Sequence, residues 1–182
     1  MTLRPDHIKT TLRSWIGEHH LIDENDVLIE ELCFVDRKRR ADLVHANGKL
    51  SAYEIKSEAD SLVRWRGQEE AYHLVFDEVW ICCHFKHLSK ALNSSKQKTG
   101  VMVFDDFSNM AIAKPAEENK NIDFSKLLSF LWKENLQSLC YEHDIRFRKS
   151  DSVMLLRQIA INNLPKQVLK NYVLNTLKAR YS

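Results

Sequence analysis

Ala41-Asp42-Leu43-Val44-His45-Ala46-Asn47-Gly48-Lys49-Leu50-Ser51-Ala52-Tyr53-Glu54-Ile55-Lys56 is the stretch that decides the fold. An Asn-Gly pair between two runs of strand-forming residues is a strong short-range signal of a β-hairpin. Arg39–Ala46 and Lys49–Ser57 are therefore read as strands. Glu54 and Lys56 are two residues apart, so they share one face of their strand while Ile55 points the other way. Asp42 joins that face only in an even register. A two-residue loop at Asn47-Gly48 sets Asp42 opposite Tyr53, on the wrong side. A three-residue loop of Ala46, Asn47 and Gly48, with Gly48 left-handed, or a β-bulge, brings Asp42 round to Glu54.

Reading outward, residues 5–17 form an amphipathic helix, with Ile8, Leu12, Trp15 and Ile16 at helical spacing. Val27–Val35 reads as a strand, Leu62–Val75 as a helix capped by Asp60 or Ser61, Asp77–Cys83 as a strand and His87–Ser94 as a short helix. Gly100–Phe104 and Met110–Ala113 read as further strands. This order predicts an α/β protein with helices packed on the faces of a sheet. Lys114–Asn121, with Pro115 and no large apolar residue, is the linker candidate. Beyond it Phe124, Leu127, Leu128, Leu131 and Trp132 have helical spacing, as do Val153–Asn162 and Lys166–Arg180 on either side of Pro165. The expected division is a core over 1–115 and a C-terminal α-helical extension over 120–182.

Composition narrows the class. No apolar run approaches the ~20 residues needed to span a bilayer, and Met1–Asp6 lacks the apolar core of a signal peptide. Cys33, Cys82, Cys83 and Cys140 form no C-x-x-C pair, as expected of a reducing compartment. A cytoplasmic chain with no membrane partner is the expectation. Cys82, Cys83, His84 and His87 make a poor zinc set, because adjacent strand residues point to opposite faces. The net charge of +2 is unevenly spread: residues 123–182 hold 10 basic and 5 acidic side chains, an excess able to neutralise phosphates. A solvated helical surface explains the same excess.

Asp42 and Glu54 suit a hard cation, Mg2+ or Mn2+, with the Ile55 carbonyl as a further oxygen donor. Lys56 is placed to orient or deprotonate a water, or to offset charge in a phosphoryl-transfer transition state. An ordinary cross-strand ion pair is the competing reading, since Glu-x-Lys alone is common on surface strands. Glu30 and Glu31 lie in an apolar strand, and alternation lets only one of them face the same point. On the following helix Arg64, Gln68 and Tyr72 form one stripe at i, i+4 and i+8, suited to substrate contact or simply to solvent. Arg39 and Arg40 belong to a basic run entering the strand of Asp42.

The combination Glu31, Ala41-Asp42, Glu54-Ile55-Lys56 and Gln68-x3-Tyr72 resembles the PD-(D/E)XK nuclease superfamily. The Gln-x3-Tyr element is similar to that of its RecB-like branch. Tyr53–Arg64 followed by Phe76-Asp77-Glu78-Val79 looks like a group of small bacterial and phage-borne members. The resemblance spans roughly residues 27–84 and departs at Ala41, where proline is common. It implies a restriction-endonuclease-like, four-stranded mixed sheet flanked by helices. It also implies Asp42 and Glu54 as metal ligands assisted by Glu31, Lys56 as the catalytic lysine, and Gln68 and Tyr72 in support. The expected function is metal-dependent hydrolysis of DNA, with a non-catalytic nucleic-acid-binding or partner-docking protein as the alternative. In the extension, Arg146, Arg148 and Lys149 are candidate phosphate contacts. A helical buttress, a homodimer contact or a protein-docking surface are the other roles that segment allows.

Overall fold

The computed structural model describes residues 5–19 and 25–182, and of Pro5 and Asp6 the backbone only. Met1–Arg4, part of the segment read for a signal peptide, lies outside the described residues. One mixed sheet of six strands runs in the order β1 (Val27–Phe34), β2 (Arg39–Ala46), β3 (Leu50–Lys56), β4 (Glu78–His84), β5 (Gly100–Phe104) and β6 (Met110–Lys114). β1, β2 and β3 are successively antiparallel, β3, β4 and β5 parallel, and β6 closes the far edge antiparallel to β5. Helix α2 (Trp65–Tyr72) connects β3 to β4 and α3 (Leu88–Ser94) connects β4 to β5. The four strands implied by the resemblance are exceeded because β5 and β6 extend the β4 side.

Two apolar clusters sandwich the sheet. On one face α1 (Pro5–His19) presents Ile8, Leu12 and Ile16, all buried, to Leu43, Tyr53, Ile55, Trp80, Cys82 and Met102. Each such aliphatic side chain contributes about 1.5–3 kcal/mol on full burial. Gly100 is required there by space: a Cβ at this position would enter the ring of Trp80. The opposite face carries α2 and α3 together with the C-terminal helices α4 (Phe124–Leu127), α5 (Lys133–Glu142), α6 (Val153–Asn163) and α7 (Lys166–Tyr181). Leu169, Val173 and Leu177 of α7 share one continuous core with Val27, Ile29, Val44 and Trp65. The extension is thus packed on the sheet. Among the described residues no helix is long and apolar enough to cross a membrane.

Three local readings need correction. The run 62–75 opens as a 3-10 turn, Leu62–Arg64, because the Ser61 hydroxyl accepts from the Val63 N–H before α2 begins. The run 124–132 is divided: Trp132 takes an extended conformation (ψ 170°) and starts α5, its N–H donating to Asn135 Oδ1. Residues 115–121 have no regular structure but are tied down. The Asn119 amide donates to the carbonyls of His73 and Phe76, and its backbone N–H donates to that of Asp77.

Candidate active site

The hairpin pairs Ala46 with Leu50 and Leu43 with Tyr53. The loop therefore has three residues, Asn47, Gly48 and Lys49, one step later than the Ala46–Gly48 loop expected, with Gly48 left-handed at φ 93°. The required even register results, and Asp42 comes opposite Glu54. The ladder stops at Leu43–Tyr53. Beyond it Asp42 Oδ2 accepts the Ile55 backbone N–H at 2.7 Å, a side chain taking the place of a strand acceptor.

A second irregularity selects between Glu30 and Glu31. Val27 and Ile29 face the α2 side of the sheet, and so do Leu32 and Phe34, so β1 loses one step of alternation between them. Glu31 absorbs that step in a left-handed conformation, φ 54°. Its opposite number is Asp42, where β2 makes the same change between Leu43 and Ala41, and the register is kept on both sides. Glu31 consequently turns into the space beside Asp42. Glu30 stays on the α1 face and pairs with Arg13 at 3.1 Å.

Glu31, Asp42, Glu54, Ile55 and Lys56 line one cavity of about 240 Å³, which also reaches Ser57 and Asp60. Glu54 is 4% exposed. Its Oε1 accepts from Lys56 Nζ at 2.6 Å and Gln68 Nε2 at 2.8 Å, and its Oε2 accepts from the Tyr72 hydroxyl at 2.5 Å. Lys56 also donates to Gln68 Oε1 at 3.1 Å. Helix α2 thus aims Gln68 and Tyr72, one turn apart, at a single carboxylate. Burial, then the charge of Glu54, push the Asp42 carboxyl up to about 6; the Ile55 N–H and Lys56 pull the other way. Burial and Glu54 also hold the Tyr72 hydroxyl well above its usual range, so it stays a donor.

Lys9 of α1 was not foreseen. Its amine pairs with Glu31 Oε1 and lines the same cavity, while Arg40 Nε lies 2.6 Å from Glu31 Oε2. A lone lysine on the first amphipathic helix gives no local signal of such a role. Asp60 was foreseen only as a cap; it instead accepts the Ser57 N–H and hydroxyl, at 2.7 and 2.6 Å, and fixes the chain leaving β3.

Arg64 lies apart from the Glu54 network. It lines an adjoining cavity of about 450 Å³ whose wall includes Lys56 and Gln68. Arg39 and Arg40 are exposed at the start of β2. Arg146, Arg148 and Lys149 are exposed on the link between α5 and α6 and are not among the residues lining either cavity. Among the described residues, no three or more histidine, cysteine, aspartate or glutamate side chains are grouped closely enough to hold a metal ion by themselves.

Residues 1–182 match the family model described as bacteriophage P4 protein cII. The chain belongs to the bacteriophage P4 cII family. Protein cII of Enterobacteria phage P4 is 29% identical over 182 residues, covering 98% of this chain and 68% of that protein. No solved structure matches. Neither cII name specifies a reaction.

Proposed function

We propose that this chain is a metal-dependent nuclease of the PD-(D/E)XK type that hydrolyses phosphodiester bonds in DNA. One observation carries the reading: Asp42, Glu54 and Lys56 converge on one cavity at the point where β2 and β3 separate. The donor set fits a hard divalent cation. It offers oxygen ligands, and magnesium usually takes only one or two carboxylates, keeping waters in its other positions. Burial first and the charge of Glu54 second raise the Asp42 carboxyl, and a cation would offset both costs of ionising it. Asp42 and Glu54 would hold Mg2+ or Mn2+, with Glu31 and the Ile55 carbonyl as further oxygen donors.

A cation held by Asp42 and Glu54 would supply a water of lowered pKa and polarise a phosphoryl oxygen. Gln68 and Tyr72 hold the Glu54 carboxylate in one orientation. Lys56 has three N–H donors, of which Glu54 and Gln68 engage two. The third remains to orient the attacking water or to meet negative charge on the phosphoryl group. Arg64, across the adjoining cavity, is placed to grip a flanking phosphate.

Lys9 favours a second reading. Its amine against Glu31 helps neutralise the acidic cavity without a metal, as suits a protein that binds nucleic acid without cutting it. The deciding experiment incubates the chain with plasmid and oligonucleotide DNA in Mg2+, in Mn2+ and in EDTA. Cutting only with metal, abolished in Lys56→Ala while DNA binding and folding persist, is the expected outcome. If Lys56→Ala cuts as fast as the unaltered chain, the assignment is wrong. A mobility shift in EDTA and metal alike, with no shortening of DNA, favours the binding protein.

A further inference from the structure

Trp132 interrupts the helical run of the extension, and the interruption is built. Its N–H donates to Asn135 Oδ1 at 3.0 Å, and the same oxygen accepts from Arg180 Nη2 at 3.2 Å. Arg180 Nη1 donates to the Phe130 carbonyl at 3.0 Å. The guanidinium so fixed lies 4.1 Å from the Trp132 ring centroid, within cation–π range. Trp132 nevertheless remains 55% exposed, whereas Trp65 and Trp80 are buried. A large ring backed by a guanidinium yet left in water is suited to receiving another flat group, since burial does not explain its place.

The surroundings identify that group. Trp132 and Arg180 line a cleft of about 270 Å³ together with Tyr181, Arg37 and Glu31. Glu31 also lines the cavity of Asp42, Glu54 and Lys56, so the two spaces share one residue. Arg40 pairs with that same Glu31, and its side chain is 65% exposed. Exposed aromatic rings beside arginines match what unpaired nucleotides need: a stacking platform and cations for the backbone.

We propose that the Trp132 cleft binds an unpaired base of a single-stranded nucleic-acid segment whose backbone passes Arg37 and Arg40 toward the Asp42–Lys56 cavity. Stacking requires a free base face, which a paired base inside a duplex does not offer. The inference rests on the nuclease reading for where the strand leads, but the cleft binds whether or not the cavity is active.

The test is therefore run in EDTA, where binding is separated from cleavage. The full chain is titrated with a fluorescein-labelled oligothymidylate and with a duplex of equal length, following anisotropy and tryptophan emission. The single strand should bind more tightly and quench emission. Trp132→Ala should weaken single-strand binding roughly tenfold to hundredfold, the usual effect of losing one base–aromatic stack. Trp132→Phe should stay within about threefold, because a ring is kept. Arg37→Gln should lower the salt dependence of binding. Undiminished single-strand affinity in a folded Trp132→Ala overturns the proposal, as does equal quenching by duplex or no binding of the oligonucleotide. Trp132-dependent binding by a chain that never cuts DNA supports the cleft and removes the nuclease reading. Metal-dependent cutting indifferent to Trp132 does the reverse.

Discussion

The carboxylate of Asp42 accepts the backbone N–H of Ile55 at 2.7 Å, just past the last paired residues of β2 and β3. This bond lets the two strands part without leaving a strand donor unsatisfied, and it brings an acid beside Glu54 and Lys56. The same atom group therefore serves the fold and the site, and substitutions can separate the two duties.

Asp42→Asn keeps an oxygen acceptor for Ile55 and should change stability by less than about 1 kcal/mol. Asp42→Ala leaves that N–H without its partner and should destabilise by about 1–3 kcal/mol. Urea denaturation distinguishes them, and equal losses for the two variants would show that the bond carries no stability. Both should abolish metal-dependent cleavage, since each removes the charge.

The Asp42 carboxyl, raised from 3.8 to about 6, makes the folded chain hold a proton that the unfolded chain has released between those values. Its contribution to stability is full below the lower value and is lost as pH rises through about 6. In EDTA the unaltered chain should therefore lose stability relative to Asp42→Asn as pH rises from 3.8 to about 6. Protons also compete with the cation, so Mn2+ affinity should rise with pH across the same range and level off above it. Parallel stability curves for the two proteins would contradict the assignment.

Tyr72→Phe removes the hydroxyl that orients Glu54 and leaves the buried ring in place. Groups that orient a metal ligand are typically worth about 10–100-fold in affinity. Calorimetric Mn2+ titration should show a loss of that order, with the melting temperature only modestly lowered. Unchanged Mn2+ affinity would remove Glu54 from the metal site.

Lys9→Ala should act in the opposite direction. Releasing Glu31 from the α1 amine restores a negative charge to the cavity, and affinity for a hard cation rises with ligand charge. A gain of about three- to tenfold in Mn2+ affinity is expected. A loss would show that Lys9 positions Glu31 for the metal, not against it.

Gly100→Ala tests packing on the α1 face, away from the chemistry. The added methyl meets the Trp80 ring, itself stacked on Tyr53 at a centroid distance of 6.1 Å. Overpacking of this kind destabilises by about 1–3 kcal/mol, readable as a lower denaturation midpoint with an unchanged slope. Wild-type stability would mean that the ring swings aside freely.

The strands of the hairpin were legible because alternation and an Asn-Gly turn are local properties, written in adjacent residues. The facing of Glu54 and Lys56 followed from the same two-residue period, and the helical spacing of Gln68 and Tyr72 placed both on one stripe. Arg64 shares that spacing but falls in the 3-10 turn before α2, and it lines the adjoining cavity with Gln68 instead of joining the Glu54 network. The break at Trp132 was hidden because Phe124–Trp132 keeps helical periodicity while Asn135 captures its N–H from outside that run.

What the sequence determined by itself, then, was the set of elements and the oxygen-rich character of the hairpin's centre, while the even register was left as a condition that the folded hairpin meets. Tertiary structure alone decided that Glu31 and not Glu30 enters that centre, that Lys9 meets it there, and that Trp132 and Arg180 stand on the far side of the same glutamate. The reason is physical. The loss of alternation at Glu31 and Asp42 is a compromise between two strands and the layers packed on both of their faces, and such a compromise depends on contacts between residues far apart in the chain.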